Sequence, residues 1–239
     1  MEYQYGRHRF FEMIPGLLVW GTLLTAVVLS FVAPIAAIGF IIVFDLYWMY
    51  RVLYFILFVL HAWRQHRDAE ARDWMRDLKR DVPDWEKYYH LIFLPTYKEP
   101  LEIINTTLAS LKACEYPNNR IMIVLAGEAR DQENFERCAA RVKGAYGDTF
   151  AQLFVTVHPS DLPDEIPGKG SNLNYTGHEI QKELDALNIP YEDVIASSFD
   201  IDTIAHPQYF AHLTHTYASQ ERPTRMSYQP VVLFNNNMW

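Results

Sequence analysis

The stretch from Ile14 to Val32 reads IPGLLVWGTLLTAVVLSFV and carries no charge. A helix needs about 20 apolar residues to cross the hydrocarbon core of a bilayer, so this run has the length and composition of a membrane span. Ala33-Pro34 supplies a tight turn, and a second apolar run follows from Ile35 to about Trp63, interrupted only by Asp45 and Arg51. The expected arrangement of residues 1–63 is a hairpin of two transmembrane helices. A cleaved signal peptide is the rival reading of the first run. Its length, the second run directly behind it and the lack of a small-residue cleavage site argue against that.

Basic residues orient the hairpin. Arg7 and Arg9 precede it, Arg64, Arg67, Arg72, Arg76, Lys79 and Arg80 follow it, and the turn between has none. Positive flanks stay on the cytoplasmic side, so the expectation is a multi-pass integral membrane protein with everything after residue 63 in the cytosol. Asp45 and Arg51 could mark a polar pathway through the bilayer. The aromatic crowd of Tyr47, Trp48, Tyr50 and Tyr54 favours an interfacial belt in which Arg51 snorkels. Residues 64–87, with Trp63, Trp74 and Leu78 among many charges, are expected to form an amphipathic connector on the membrane surface.

From about residue 88 the pattern alternates between strand and helix. Short apolar runs, HLIFLPTY (His90 to Tyr97), RIMIVLA (Arg120 to Ala126), LFVTVH (Leu153 to His158) and DVIASSF (Asp193 to Phe199), are separated by helical stretches. Pro100 suits a first helical turn, with Leu101, Ile104, Leu108 and Leu111 at helical spacing behind it. Further helices are expected from about Gln132 and from about Asn172 to Leu187. Alternating strand and helix predicts an α/β fold with a mostly parallel, Rossmann-like sheet.

Ligands of such sheets bind outside the carboxyl ends of the strands, which gathers the scattered polar residues. Thr96, Tyr97, Lys98 and Glu99 follow the first strand, Gly127 and Glu128 the second, Gly168 to Asn174 open the helix after the third, and Asp200 and Asp202 end the fourth. Residues two apart on a strand share a face, so the two aspartates could grip one cation. They could equally be solvated acids in a turn, since 14 aspartates in 239 residues give about 0.8 D-x-D pairs by chance. Each of the others has a structural alternative: Thr96 as a strand end, Glu99 as a solvated acid, Lys169 as a loop lysine, Asn172 as a helix cap. A P-loop is excluded, because Pro163 stands where its first glycine belongs.

Taken in order and spacing, PTYKEP, GKGSNLN and SSFDIDT resemble the first half of a family-2 glycosyltransferase domain of the GT-A type, closest to the membrane-embedded branch of cellulose and hyaluronan synthases. The resemblance spans residues 88–239. It implies a nucleotide-diphosphate sugar donor, a Mn2+ or Mg2+ ion, and inverting transfer to a polysaccharide, lipid or other acceptor. Thr96, Tyr97 and Glu99 match the nucleoside-contacting segment, with Lys98 where many members have asparagine. Lys169 and Asn172 match the segment near the donor diphosphate, and Asp200 and Asp202 the metal-binding D-x-D. A hard cation prefers carboxylate oxygens, and it offsets the charge of a leaving diphosphate.

LAGEARD departs from the family's acidic segment after the second strand, leaving Glu128 or Asp131 as the base-contacting acid. SYQPVVLFNNNMW resembles the strand that follows D-x-D, and the general base is expected beyond Trp239, as in an N-terminal portion of a longer enzyme. Two other readings stay open: a nucleotide-sugar-binding module without catalysis, and a nucleotidyltransferase. The latter would carry a glycine- and arginine-rich phosphate loop, which PTYKEP lacks. The net charge of -8 argues against nucleic-acid binding. Cys114 and Cys138 lack metal spacing and are expected as buried thiols, and His206, His212 and His215 make a poor zinc signature.

Overall fold

The computed structural model describes residues 5–163 and 165–230. The chain divides into two compact units, Met1–Ala71 and Arg72–Trp239.

The first unit is a pair of helices, α1 (Tyr5–Val32) and α2 (Pro34–Glu70), joined at Ala33. Both are long and apolar enough to cross a membrane. Their large apolar side chains are exposed along almost the whole length, for example Phe31, Ile35, Phe55 and Leu57. Two hydroxyls in α1 bond back to their own helix: Thr22 Oγ1 donates to the Leu18 carbonyl at 2.7 Å and Ser30 Oγ to that of Val27 at 2.6 Å. This is how a hydroxyl is accommodated where water is absent. Helix α2 runs past Trp63 to Glu70, and at 1.5 Å per residue its 37 residues extend about 55 Å. The apolar run resumes beyond Arg51 to Leu60.

The sequence's amphipathic connector, 64–87, divides in the structure. Residues 64–70 continue α2, while α3 (Trp74–Asp81) belongs to the second unit and packs on α7 (Tyr209–Ala218). Trp74 stacks on His212 with ring centroids 3.7 Å apart, and its backbone N–H donates to Gln208 Oε1 at 2.6 Å. His215 Nε2 lies 3.1 Å from Asp81 Oδ2. Met75 and Leu78 are buried with Trp74. The histidines of α7 thus serve ring packing and a hydrogen bond to Asp81, and His206 precedes the helix.

The second unit is α/β, with a four-stranded, all-parallel sheet: β1 (Tyr89–Pro95), β2 (Ile121–Glu128), β3 (Gln152–His158) and β4 (Val194–Ser198). Between them run α4 (Leu101–Lys112), α5 (Gln132–Tyr146) and α6 (Lys169–Leu187). Strand β2 is buried at every position, as its continuous apolar run requires when helices cover both faces. Ile180 and Leu184 of α6 pack on Leu91, Met122 and Val124. The alternate residue His90 faces the other side, against Tyr116 and Phe210. Cys114 and Cys138 are both buried thiols.

The strand order is β3-β2-β1-β4. The chain steps from β1 to β2 to β3, then reverses across the sheet so that β4 pairs with β1. That reversal is a topological switch point, and it leaves a crevice between the carboxyl ends of β1 and β4.

Candidate functional site

An open cleft of about 510 Å3 lies at this switch point, lined by Thr96, Tyr97, Glu99, Glu128, Lys169, Asp200 and Asp202 with Pro95, Ile103, Arg130, Gly168 and Ile201. Residues from four separate sequence segments meet there. Asn172 and Asp131, the other two candidates, lie outside its lining.

The β1 end is held by backbone and carboxylates. Thr96 N–H donates to the Ala126 carbonyl at 2.8 Å, extending the β1–β2 ladder. Lys98 has φ 66°, a left-handed conformation that a lysine rarely adopts. Its N–H donates to Asp131 Oδ2 at 3.0 Å, and the N–H of Tyr97 donates to the Glu99 carboxylate. Asp131 also accepts from Asn134 Nδ2 at 3.0 Å. Its carboxylate supports a strained turn rather than facing the cleft.

Strand β2 runs two residues further than the apolar pattern indicates, carrying Gly127 and Glu128 within the ladder. Gly127 is required by close approach: a Cβ there would meet the Phe135 ring at 2.4 Å. Glu128 is buried and bound by Arg130, whose Nε donates at 2.9 Å and whose Nη2 also donates to the same oxygen. The bond to Glu128 holds the Arg130 guanidinium above its ordinary pKa. Arg130 Cζ lies 4.6 Å from the Tyr97 ring centroid and Lys98 Nζ 4.9 Å, so two cations attend one aromatic ring. Sequence reasoning missed Arg130, because the short 3-10 turn that returns it over Tyr97 has no sequence period.

Helix α6 begins at Lys169, three residues before the expected start. Ser171 Oγ donates to the Gly168 carbonyl at 2.8 Å, fixing the first turn. Asn172 is almost fully buried. Its Nδ2 donates to the Ala126 carbonyl at 2.9 Å and its Oδ1 accepts from Thr176 Oγ1 at 3.1 Å. This amide braces the helix against the β2 end, behind the cleft. His158, at the end of β3, is buried with Nε2 2.8 Å from Glu165 Oε2, which ties down the segment leading to Gly168.

The aspartates sit in a turn, not on the extended strand. Strand β4 ends at Ser198, and Thr203 N–H donates to the Asp200 carbonyl at 3.0 Å. Alternation still sorts the side chains: Ile201 is buried between the exposed Asp200 and Asp202. The Ile201 carbonyl accepts from buried Thr107 Oγ1, anchoring the turn to α4. Asp200 forms an ion pair with Lys169 across the cleft.

Among the described residues no group of three or more His, Cys, Asp or Glu side chains is arranged to hold a metal ion. Two carboxylates from one turn fit a small hard cation only where a ligand's phosphate oxygens and water complete the shell, the ordinary mode for Mg2+. No family model and no curated protein matches this chain.

Proposed function

We propose that the second unit binds a nucleotide-diphosphate sugar in the switch-point cleft, as the donor-binding part of a membrane-bound glycosyltransferase. The observation that carries this reading is the strand order. Reversal after β3 brings the segments after β1 and β4 side by side, so residues from each of PTYKEP, GKGSNLN and SSFDIDT line one cleft, with Asn172 behind it. Tyr97 offers an aromatic face at one part of the lining. Lys169 offers an ammonium suited to phosphate, and Asp200 and Asp202 offer carboxylates for a divalent cation that a diphosphate would help to hold. Such an ion would offset the charge developing on a diphosphate leaving group.

The α1–α2 hairpin is read as a multi-pass membrane anchor with the cleft on the cytosolic side, where nucleotide sugars are available. The acids of the cleft with identified partners are engaged: Glu128 by Arg130, Glu99 by the Tyr97 N–H and Asp200 by Lys169. None is assigned as general base, which favours donor binding as the property of this cleft that experiment should address first. The test is titration of the chain in detergent with uridine and guanosine diphosphates and Mn2+. Saturable binding that needs both the nucleotide and the metal supports the reading, and its absence for both nucleotides removes it.

A further inference from the structure

We infer that Lys169 is a resident counter-cation for Asp200 which a diphosphate withdraws, so that divalent metal and diphosphate enter the cleft together rather than metal first. The inference rests on the donor-site reading above and adds an order of events to it.

Lys169 opens α6 and Asp200 follows β4, and the folding of the two segments onto one cleft brings opposite charges into contact. The side chains are 48% and 72% exposed. An ion pair this wet is worth about 0.2–1 kcal/mol, so an incoming ligand can break it. The other cation lining the cleft among the described residues is committed, since Arg130 binds the buried Glu128. The nearby Lys98 places its ammonium over the Tyr97 ring. Lys169 is therefore the cleft cation whose partner is an exposed and replaceable carboxylate.

An ammonium bound to Asp200 offsets the charge of that carboxylate and would repel a divalent ion approaching it. A diphosphate carries more negative charge than one carboxylate and draws the ammonium away, since charge-assisted bonds to phosphate are among the stronger ones. Asp200, relieved of its partner, is then available beside Asp202. Diphosphate and metal each raise the affinity for the other, by the same factor in both directions.

The experiment uses the full chain in detergent, with Lys169→Gln as the variant and Lys98→Gln as a control that removes one positive charge near the same cleft. Mn2+ alone is titrated first, with the free ion followed by electron paramagnetic resonance. Uridine and guanosine diphosphates are then titrated calorimetrically with Mn2+ present. Lys169→Gln should bind Mn2+ alone about two- to fivefold more tightly than the parent and bind the nucleotide with metal about tenfold less tightly. These opposite signs are what a simple phosphate-binding lysine would not give. Mn2+ affinity of Lys169→Gln equal to or below the parent's, or a gain matched by Lys98→Gln, overturns the inference while leaving the donor-site reading intact. A parent that binds neither nucleotide even with Mn2+ removes the donor-site reading, and the inference with it.

Discussion

Asn172 donates its side-chain amide to the carbonyl oxygen of Ala126 at 2.9 Å, and the same oxygen accepts the Thr96 N–H at 2.8 Å. One backbone oxygen at the end of β2 thereby ties the start of α6 to the end of β1. Three cleft-forming segments share this node, and Asn172 is the member that joins it through a side chain. Asn172→Ala should cost about 1–3 kcal/mol, the penalty for leaving buried partners unsatisfied. Asn172→Asp should cost more, because it deletes the donor and turns a buried carboxylate toward a carbonyl. Thermal unfolding followed by circular dichroism checks the order. Equal stability of the parent and the aspartate variant would mean that the amide braces nothing.

Gly127 is fixed by space rather than by backbone angle. Its missing Cβ would lie 2.4 Å from the Phe135 ring, and that ring is itself buried. Gly127→Ala should destabilise the second unit by about 1–3 kcal/mol through overpacking. Combining it with Phe135→Leu should recover part of the loss. The measurement is chemical denaturation of the single and double variants, with non-additivity as the diagnostic.

His90 makes stability depend on pH. It is fully buried, its Nε2 lies 2.8 Å from Thr214 Oγ1, and its Nδ1 has no hydrogen-bond partner. Burial lowers its pKa from 6.5 to about 3. The folded state therefore binds the proton less readily than the unfolded chain. The contribution is fully present above about pH 6.5 and is lost as pH falls through the window between 6.5 and 3. At pH 5 the loss relative to pH 7 should be about 2 kcal/mol. Urea midpoints of the parent and His90→Leu, compared across that range, should show a shallower acid slope in the variant. Identical slopes would remove His90 from the account.

Topology is accessible to labelling. The basic residues from Arg64 to Arg80 lie along and beyond the C-terminal end of α2, and the turn at Ala33-Pro34 has none; the proposed orientation, with the cleft in the cytosol, is what the positive-inside rule predicts from them. A single cysteine near Arg64 should resist an impermeant maleimide in intact cells and react after lysis. Labelling in intact cells would reverse the orientation and separate the cleft from cytosolic nucleotides.

Much of this architecture is legible in the sequence, for physical reasons that also explain the gaps. Long apolar runs declare α1 and α2 because a length suited to a lipid core is a property of composition. The four strands appear as short apolar runs, clearest in β2, where burial at every position admits little else. Strand order is different, because nothing local in DVIASSF says that it pairs with HLIFLPTY rather than extending beyond LFVTVH. The start of α6 reads late because glycines at 168 and 170 disguise a first turn that Ser171 stabilises through its own side chain. Asn172 and Lys169 sit in one motif, yet the helix turn sends the first behind the cleft and the second into it. Arg130 over Tyr97 is a tertiary contact between the segments after β1 and β2, with no signature in either alone.

The donor-site reading meets its most direct test at Asp202, which lines the cleft from the exposed side of the 200–203 turn. Calorimetry of the full chain with Mn2+ and a nucleoside diphosphate should give saturable, metal-dependent binding. Asp202→Ala should weaken it by about tenfold or more, with helical circular dichroism unchanged. Equal affinity in parent and variant would return the two aspartates to the role of solvated turn residues and contradict the account.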